Sequence, residues 1–187
     1  MTRKEDALLT LESLAALVHP GYPGRVVVLG IGNRLREDDG VGPEVAGQLN
    51  ERWQKQVGQF PVEGERIFVD AGESPEDWFV RILDLKPKVI IAVDAVDLQA
   101  EPGSIAVLSV QDLPKSLLCS THRLPLKSLL TLWEQSGSKT VVVAIQPERV
   151  GFVQGFSRRV KRSIDCLVEL LSGEDAVVPR TAEASPE

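Results

Sequence analysis

The sequence has few of the residues that most often announce a site. It carries two cysteines and two histidines in 187 residues. Cys119 and Cys166 stand far apart and form no CxxC pair. That excludes zinc-ribbon and thioredoxin-type chemistry and fits a reducing compartment. Any imidazole chemistry must use His19 or His122. Basic charge is also short. Against 27 Asp and Glu stand 21 Lys and Arg, a net charge of −6, which is the wrong sign for a general nucleic-acid binder. No apolar run approaches the ~20 residues of a membrane span. Glu5, Asp6 and Glu12 interrupt the start where a signal peptide would turn apolar, so the expected location is cytoplasmic, with no membrane partner. The 15 glycines and 12 prolines stay short of the roughly 25–30% of low-complexity chains, which excludes wholesale disorder.

What is present is ordinary globular composition, at a length of about one domain. Such a chain buries a core without help from a metal or disulfide. Residues 4–18 carry apolar side chains at helical spacing, ended by Pro20, Gly21 and Pro23. Residues 1–24 therefore read as an N-terminal helix and linker. Residues 25–30 and 88–94 are apolar runs without alternation, the mark of strands buried on both faces. Further strands are expected at 66–70, 104–110 and 139–145, the 104–110 segment as a candidate antiparallel edge. Helices are expected at 43–57, opened by Pro43, and at 75–85, 124–134 and 155–171. Cys166 is assigned to the apolar face of the last helix and so to the core. From 172 to 187 the chain is small, polar and Pro-containing, and disorder is expected there.

Strands alternating with helices predict an α/β domain over 25–171. Its expected form is three-layered, a twisted and mostly parallel sheet with helices on both faces. In such sheets the site lies beyond the carboxyl ends of the strands. The first strand–loop–helix reads Gly30-Ile-Gly32-Asn33-Arg34-Leu35-Arg36-Glu37-Asp38-Asp39-Gly40-Val41-Gly42-Pro43. Leu35 stands where a dinucleotide fingerprint needs its third glycine. Glu37, Asp38 and Asp39 would repel a pyrophosphate and attract a cation. Asp70 ends the second strand, Asp94 ends the central one with Asp97 following, and His122 precedes a helix. Asp39, Asp70 and His122 thus share the predicted carboxyl edge. Two carboxylates and an imidazole suit a divalent ion such as zinc or nickel and leave positions open.

Plainer readings compete. Asp38 or Asp39 alone fits an N-cap or a helix-dipole partner. Asp94 fits a loop hydrogen bond. Ser120 or Thr121 fits an N-cap that leaves His122 solvated, and His19 reads as structural or exposed. A serine hydrolase lacks its GxSxG elbow. Cys119 lies three residues before His122, whereas catalytic Cys and His usually meet from distant segments.

Residues Val28 to Gly42 resemble the N-terminal signature of the nickel–iron hydrogenase maturation endopeptidases: GxGN, a few residues, an acidic pair, then GxG. Phe68-Val-Asp-Ala-Gly72, Ile91-Ala-Val-Asp-Ala-Val-Asp97, Ser120-Thr-His-Arg-Leu-Pro-Leu126 and Ala144-Ile-Gln-Pro-Glu-Arg-Val-Gly-Phe152 agree in order. The last segments most resemble the formate-hydrogenlyase-type branch. The resemblance covers about residues 25–171 and implies a twisted α/β sheet. It implies an endopeptidase that removes a C-terminal extension from a hydrogenase large-subunit precursor after nickel insertion. It further implies that Asp39, Asp70 and His122 contact the nickel in that precursor. Asp39 or Asp38 would serve as general base if the nickel is recognised only. No tightly bound cofactor is expected. Nickel arrives with the substrate, and other divalent ions can occupy the site. The expected enzyme is a monomer whose partner is the nickel-loaded precursor. The alternative is a nickel-sensing binder or chaperone of the same fold that does not cut. Family members often have DGG where this chain has Asp70-Ala71-Gly72. The N-terminal helix and polar tail stand outside the signature.

Overall fold

The computed structural model describes residues 10–19, 21–56, 64–113, 125–153 and 155–172. Five strands form one sheet: β1 (Val26–Ile31), β2 (Arg66–Gly72), β3 (Val89–Ala95), β4 (Ile105–Leu108) and β5 (Lys139–Ile145). Their order is β2-β1-β3-β5-β4. The β1–β2, β1–β3 and β3–β5 pairs are parallel. β4 runs antiparallel along β5 as the edge. The expected mostly parallel sheet with one antiparallel edge strand is the observed one.

The apolar runs lack alternation because both faces are covered. Val26 and Val28 of β1, Ile91 and Val93 of β3, and Val141 and Val143 of β5 join one cluster. Their neighbours Val27 and Leu29, Ile90 and Ala92, and Val142 and Ala144 join the other. The first cluster packs under α1 (Leu11–Val18), α2 (Val41–Gln56) and α5 (Arg158–Ser172). The second packs under α3 (Phe79–Leu85) and α4 (Leu126–Gln135), where the fully buried Trp133 stacks on Phe79 at 5.9 Å.

The element ends carry the differences from expectation. α1 starts after Thr10, whose side chain accepts the Ser13 amide in a capping box; residues 1–9 lie outside the described residues. α2 starts at Val41 after a 3₁₀ turn over Glu37–Gly40, so Pro43 stands inside the first turn rather than opening the helix. α3 is likewise preceded by a 3₁₀ turn, Pro75–Trp78. α5 begins at Arg158, because Gly155 has φ +100 and cannot belong to a right-handed helix. Cys166 is exposed, not in the core. Burial on α5 follows Val160, Ile164, Leu167, Val168 and Leu171, a spacing of four, three, one and three. Position 166 falls two residues from Ile164, about 200° round the helix and off that stripe.

α1 is fastened by one side chain. Arg66, buried at the start of β2, donates to the carbonyls of Val18 (2.8 Å), Gly24 (2.9 Å), Tyr22 (2.9 Å), Glu65 (3.3 Å) and His19. Burial lowers the Arg66 pKa, with Tyr22 acting in the opposite direction. His19 caps α1 and accepts the Gly21 amide at its Nδ1 while staying exposed. The structural and exposed readings of His19 both hold.

Candidate active site

The sheet order brings the carboxyl end of β1 between those of β2 and β3, where strands diverge to opposite sides. The glycines of the first loop allow its close approach. At Gly32, φ is +129, and a Cβ would lie 1.8 Å from the Asp39 carbonyl oxygen. At Gly42, a Cβ would lie 2.2 Å from the Val93 carbonyl of β3. These glycines fold the loop back over the strand ends instead of cradling a phosphate.

The three consecutive acids then go three ways. Glu37 takes left-handed backbone, φ +48, and its buried carboxylate meets Arg149 at 3.1 Å. Asp38 is fully buried. Its Oδ2 accepts the amides of Glu148 (2.9 Å) and Arg149 (3.0 Å), and its Oδ1 accepts that of Ser157 (2.7 Å). This carboxylate staples the first loop to the β5–α5 loop. Asp39 is half-buried and accepts the Asn33 amide at 3.0 Å.

Asp70 is exposed at the end of β2. The β1–β2 register shifts at Gly30/Ile31, so Ile31 faces Gly72 and Ala71 is the extra residue. The left-handed conformation falls on Gly72, φ +56, so alanine at position 71 adds no strain of that kind. The Gly72 amide donates back to Asp70 Oδ1 at 3.1 Å. Arg34 Nε donates to Asp70 Oδ2 at 3.0 Å. The Asn33 amide and the Arg34 side chain, on consecutive residues, therefore hold Asp39 and Asp70 respectively.

His122 and Cys119 lie outside the described residues. Among the described residues, no group of three or more His, Cys, Asp and Glu side chains is arranged to hold a metal. Two features go beyond the sequence reading, the burial of Asp94 and the part played by Arg34. Asp94 is buried at the end of β3, and its pKa is raised well above the ordinary carboxyl value. Desolvation is the main cause, the Asp39 charge the second, and the Ala95 amide opposes both. An acid ending a fully apolar strand is a signal for such burial. Arg34 and Arg36, just ahead of the acids, were the other available signal, since they temper a loop that reads as purely acidic.

Comparison with known proteins agrees with this architecture. A family model described as HycI, hydrogenase maturation protease, matches residues 43–174. The Hydrogenase 3 maturation protease of Escherichia coli is 29% identical over 147 residues, covering 79% of this chain and 88% of that protein. The crystal structure of the [NiFe] hydrogenase maturation protease HycI from Thermococcus kodakarensis superposes with a TM-score of 0.70 at 30% identity. It covers 86% of this chain and 96% of that one. The solution structure of the endopeptidase HycI from Escherichia coli gives 0.65 at 27% identity, covering 80% and 90%. A five-stranded sheet of this order, an acidic loop folded over its carboxyl edge and these matches together make the chain a peptidase of the hydrogenase maturation protease family.

Proposed function

We propose that the protein removes a C-terminal extension from a nickel-loaded hydrogenase large-subunit precursor, reading the nickel through Asp39, Asp70 and His122. The observation that carries this reading is the placement of Asp39 and Asp70 by Asn33 and Arg34 at the carboxyl edge, in a chain of this family. The resting enzyme needs no resident metal. Two carboxylates and one imidazole, without thiolate, hold a first-row ion only moderately, so the ion is delivered by the substrate's own ligands. We place the reaction in the cytoplasm; no described helix is long and apolar enough to cross a membrane.

In the hydrolytic step, a base takes a proton from water and the resulting hydroxide adds to the scissile carbonyl carbon. The C–N bond then breaks, leaving a carboxylate on the subunit. The released amine takes up the proton. Of the two base candidates, Asp39 suits the role better. It has one backbone partner and partial access to solvent, whereas Asp38 is buried with three amides on its carboxylate. Asp38 is better suited to holding Asp39's loop in place.

The test is intact-mass analysis of nickel-loaded precursor incubated with the enzyme. Loss of a short C-terminal peptide is expected, absent without nickel and absent with His122→Ala. Tight binding without mass loss would instead indicate a nickel-sensing binder.

A further inference from the structure

We infer that Arg34 is a releasable counter-ion which occupies Asp70 in the free enzyme and must be displaced before Asp70 can bind a metal ion. The inference rests on the reading of Asp70 as a nickel contact. Its own support is the geometry of the arginine. Arg34 Nη1 meets Glu44 Oε2 at 2.8 Å and Nη2 donates to the Pro43 carbonyl at 2.5 Å, both in the first turn of α2. Gly47 leaves room for that end of the guanidinium, since a Cβ there would lie 3.1 Å from Nη2. Only Nε reaches across to Asp70. The arginine is thus anchored on α2 by two contacts and offers a third. Letting go of Asp70 costs one hydrogen bond and leaves the anchor intact.

Both Asp70 oxygens are engaged in this state, Oδ1 by the Gly72 amide and Oδ2 by Arg34. A metal ion needs one of them, and Oδ2 is the one held by a side chain rather than by the backbone. The Arg34–Asp70 pair is nearly half exposed on both sides, 45% and 46%, and pairs of that exposure are weak. A nickel ion presented by a docked precursor, with binding energy from the rest of the complex behind it, displaces such a contact. A free aqueous ion has no such help and meets a fixed positive charge beside its ligand. Specificity here comes from an element set against the wrong ligand: Arg34 keeps adventitious divalent ions from filling the site in the absence of substrate.

The experiment titrates Ni²⁺ alone into the untagged full chain by calorimetry. It uses the wild type, Arg34→Gln, Arg34→Lys, Asp70→Asn and the Arg34→Gln/Asp70→Asn pair. Removing one positive charge a few ångströms from a divalent ion in a wet site is worth about tenfold in affinity. Arg34→Gln is expected to bind Ni²⁺ about tenfold more tightly than wild type, and the gain is expected to vanish in the double variant. Arg34→Lys keeps the charge without the forked anchor and is expected in between. Free Ni²⁺ is expected to inhibit precursor processing by Arg34→Gln at lower concentration than for wild type. Unchanged Ni²⁺ affinity in both Arg34 variants would overturn the inference. So would a gain that survives Asp70→Asn. Full processing by Asp70→Asn would overturn the underlying reading of Asp70, whatever the calorimetry gives.

Discussion

Asp38 and Asp39 are adjacent and chemically identical, yet the fold gives them opposite surroundings. Asp38→Ala strands the buried Ser157 amide and takes the acceptor from the part-buried Glu148 and Arg149 amides. An unsatisfied buried group costs ~1–3 kcal/mol, so a loss of about 2 kcal/mol or more is expected in urea denaturation. Asp39→Asn removes no such network. Its expected phenotype is a drop of at least ~10²-fold in precursor processing, the lower bound for losing a positioned base, with no fall in the denaturation midpoint. Wild-type processing by Asp39→Asn would remove Asp39 from the chemistry. Asp94 adds a pH dependence. Its folded pKa is raised, so above about pH 4 the native state retains a proton that the unfolded chain has released. Stability contributed at this position is therefore lost as pH rises through that window. Asp94→Asn is expected to gain stability relative to wild type as pH rises above about 4. The same comparison in an Asp39→Asn background is expected to give a smaller gain, because one cause of the shift is gone. A wild-type-minus-variant difference that does not move with pH would refute this.

Among elements, α1 depends on a single buried cation. Arg66 donates to main-chain carbonyls, two of them, Val18 and His19, at the C-terminal end of α1, where a positive charge also meets the favourable end of the helix dipole. Tyr22 and Trp53 flank it at 5.7 and 5.9 Å. Arg66→Met keeps the apolar stem and removes the donors. It is expected to cost about 3 kcal/mol, the scale for a hydrogen-bonded buried charge, and to expose the 19–24 segment to limited proteolysis before the sheet unfolds. Simultaneous loss of helix and sheet would show that α1 belongs to the same cooperative unit. The strands were legible because burial on both faces writes itself as unbroken β-branched runs, as in Val26–Val28 and Val141–Val143. Helix starts were less so. The Glu37–Gly40 turn and the late start of α5 depend on backbone angles at Glu37 and Gly155, and no periodicity encodes those. Cys166 was misplaced because a helix face must be phased to within one residue. At the site, Asp39 and Asp70 were legible from the strand-end rule. The contrast between Asp38 and Asp39 was not, since it depends on the distant amides of residues 148, 149 and 157.

At the scale of the whole molecule, the substrate's size has to be matched by a surface. Of the six exposed large apolar side chains among the described residues, Leu35, Val150, Phe152 and Val153 lie on the first loop and the β5–α5 loop. The Asp38 staple holds those loops together beside Asp39. Arg36 lies over the Phe152 ring at 5.4 Å, and Phe152 is still 87% exposed. Apolar side chains gathered beside a candidate site, rather than scattered singly, point to a macromolecular partner. None of the four carries a group that can take part in hydrolysis, so their contribution is expected in binding and not in the chemical step. Phe152→Ser is therefore expected to raise KM for the precursor about tenfold, the equivalent of ~1.4 kcal/mol and within the range for burying part of a phenylalanine. With kcat unchanged, such a result is the signature of binding energy shared equally by ground and transition states. A fall in kcat at constant KM would instead mean that the loop positions Asp39. An unchanged KM would mean that the precursor docks elsewhere on the sheet's edge.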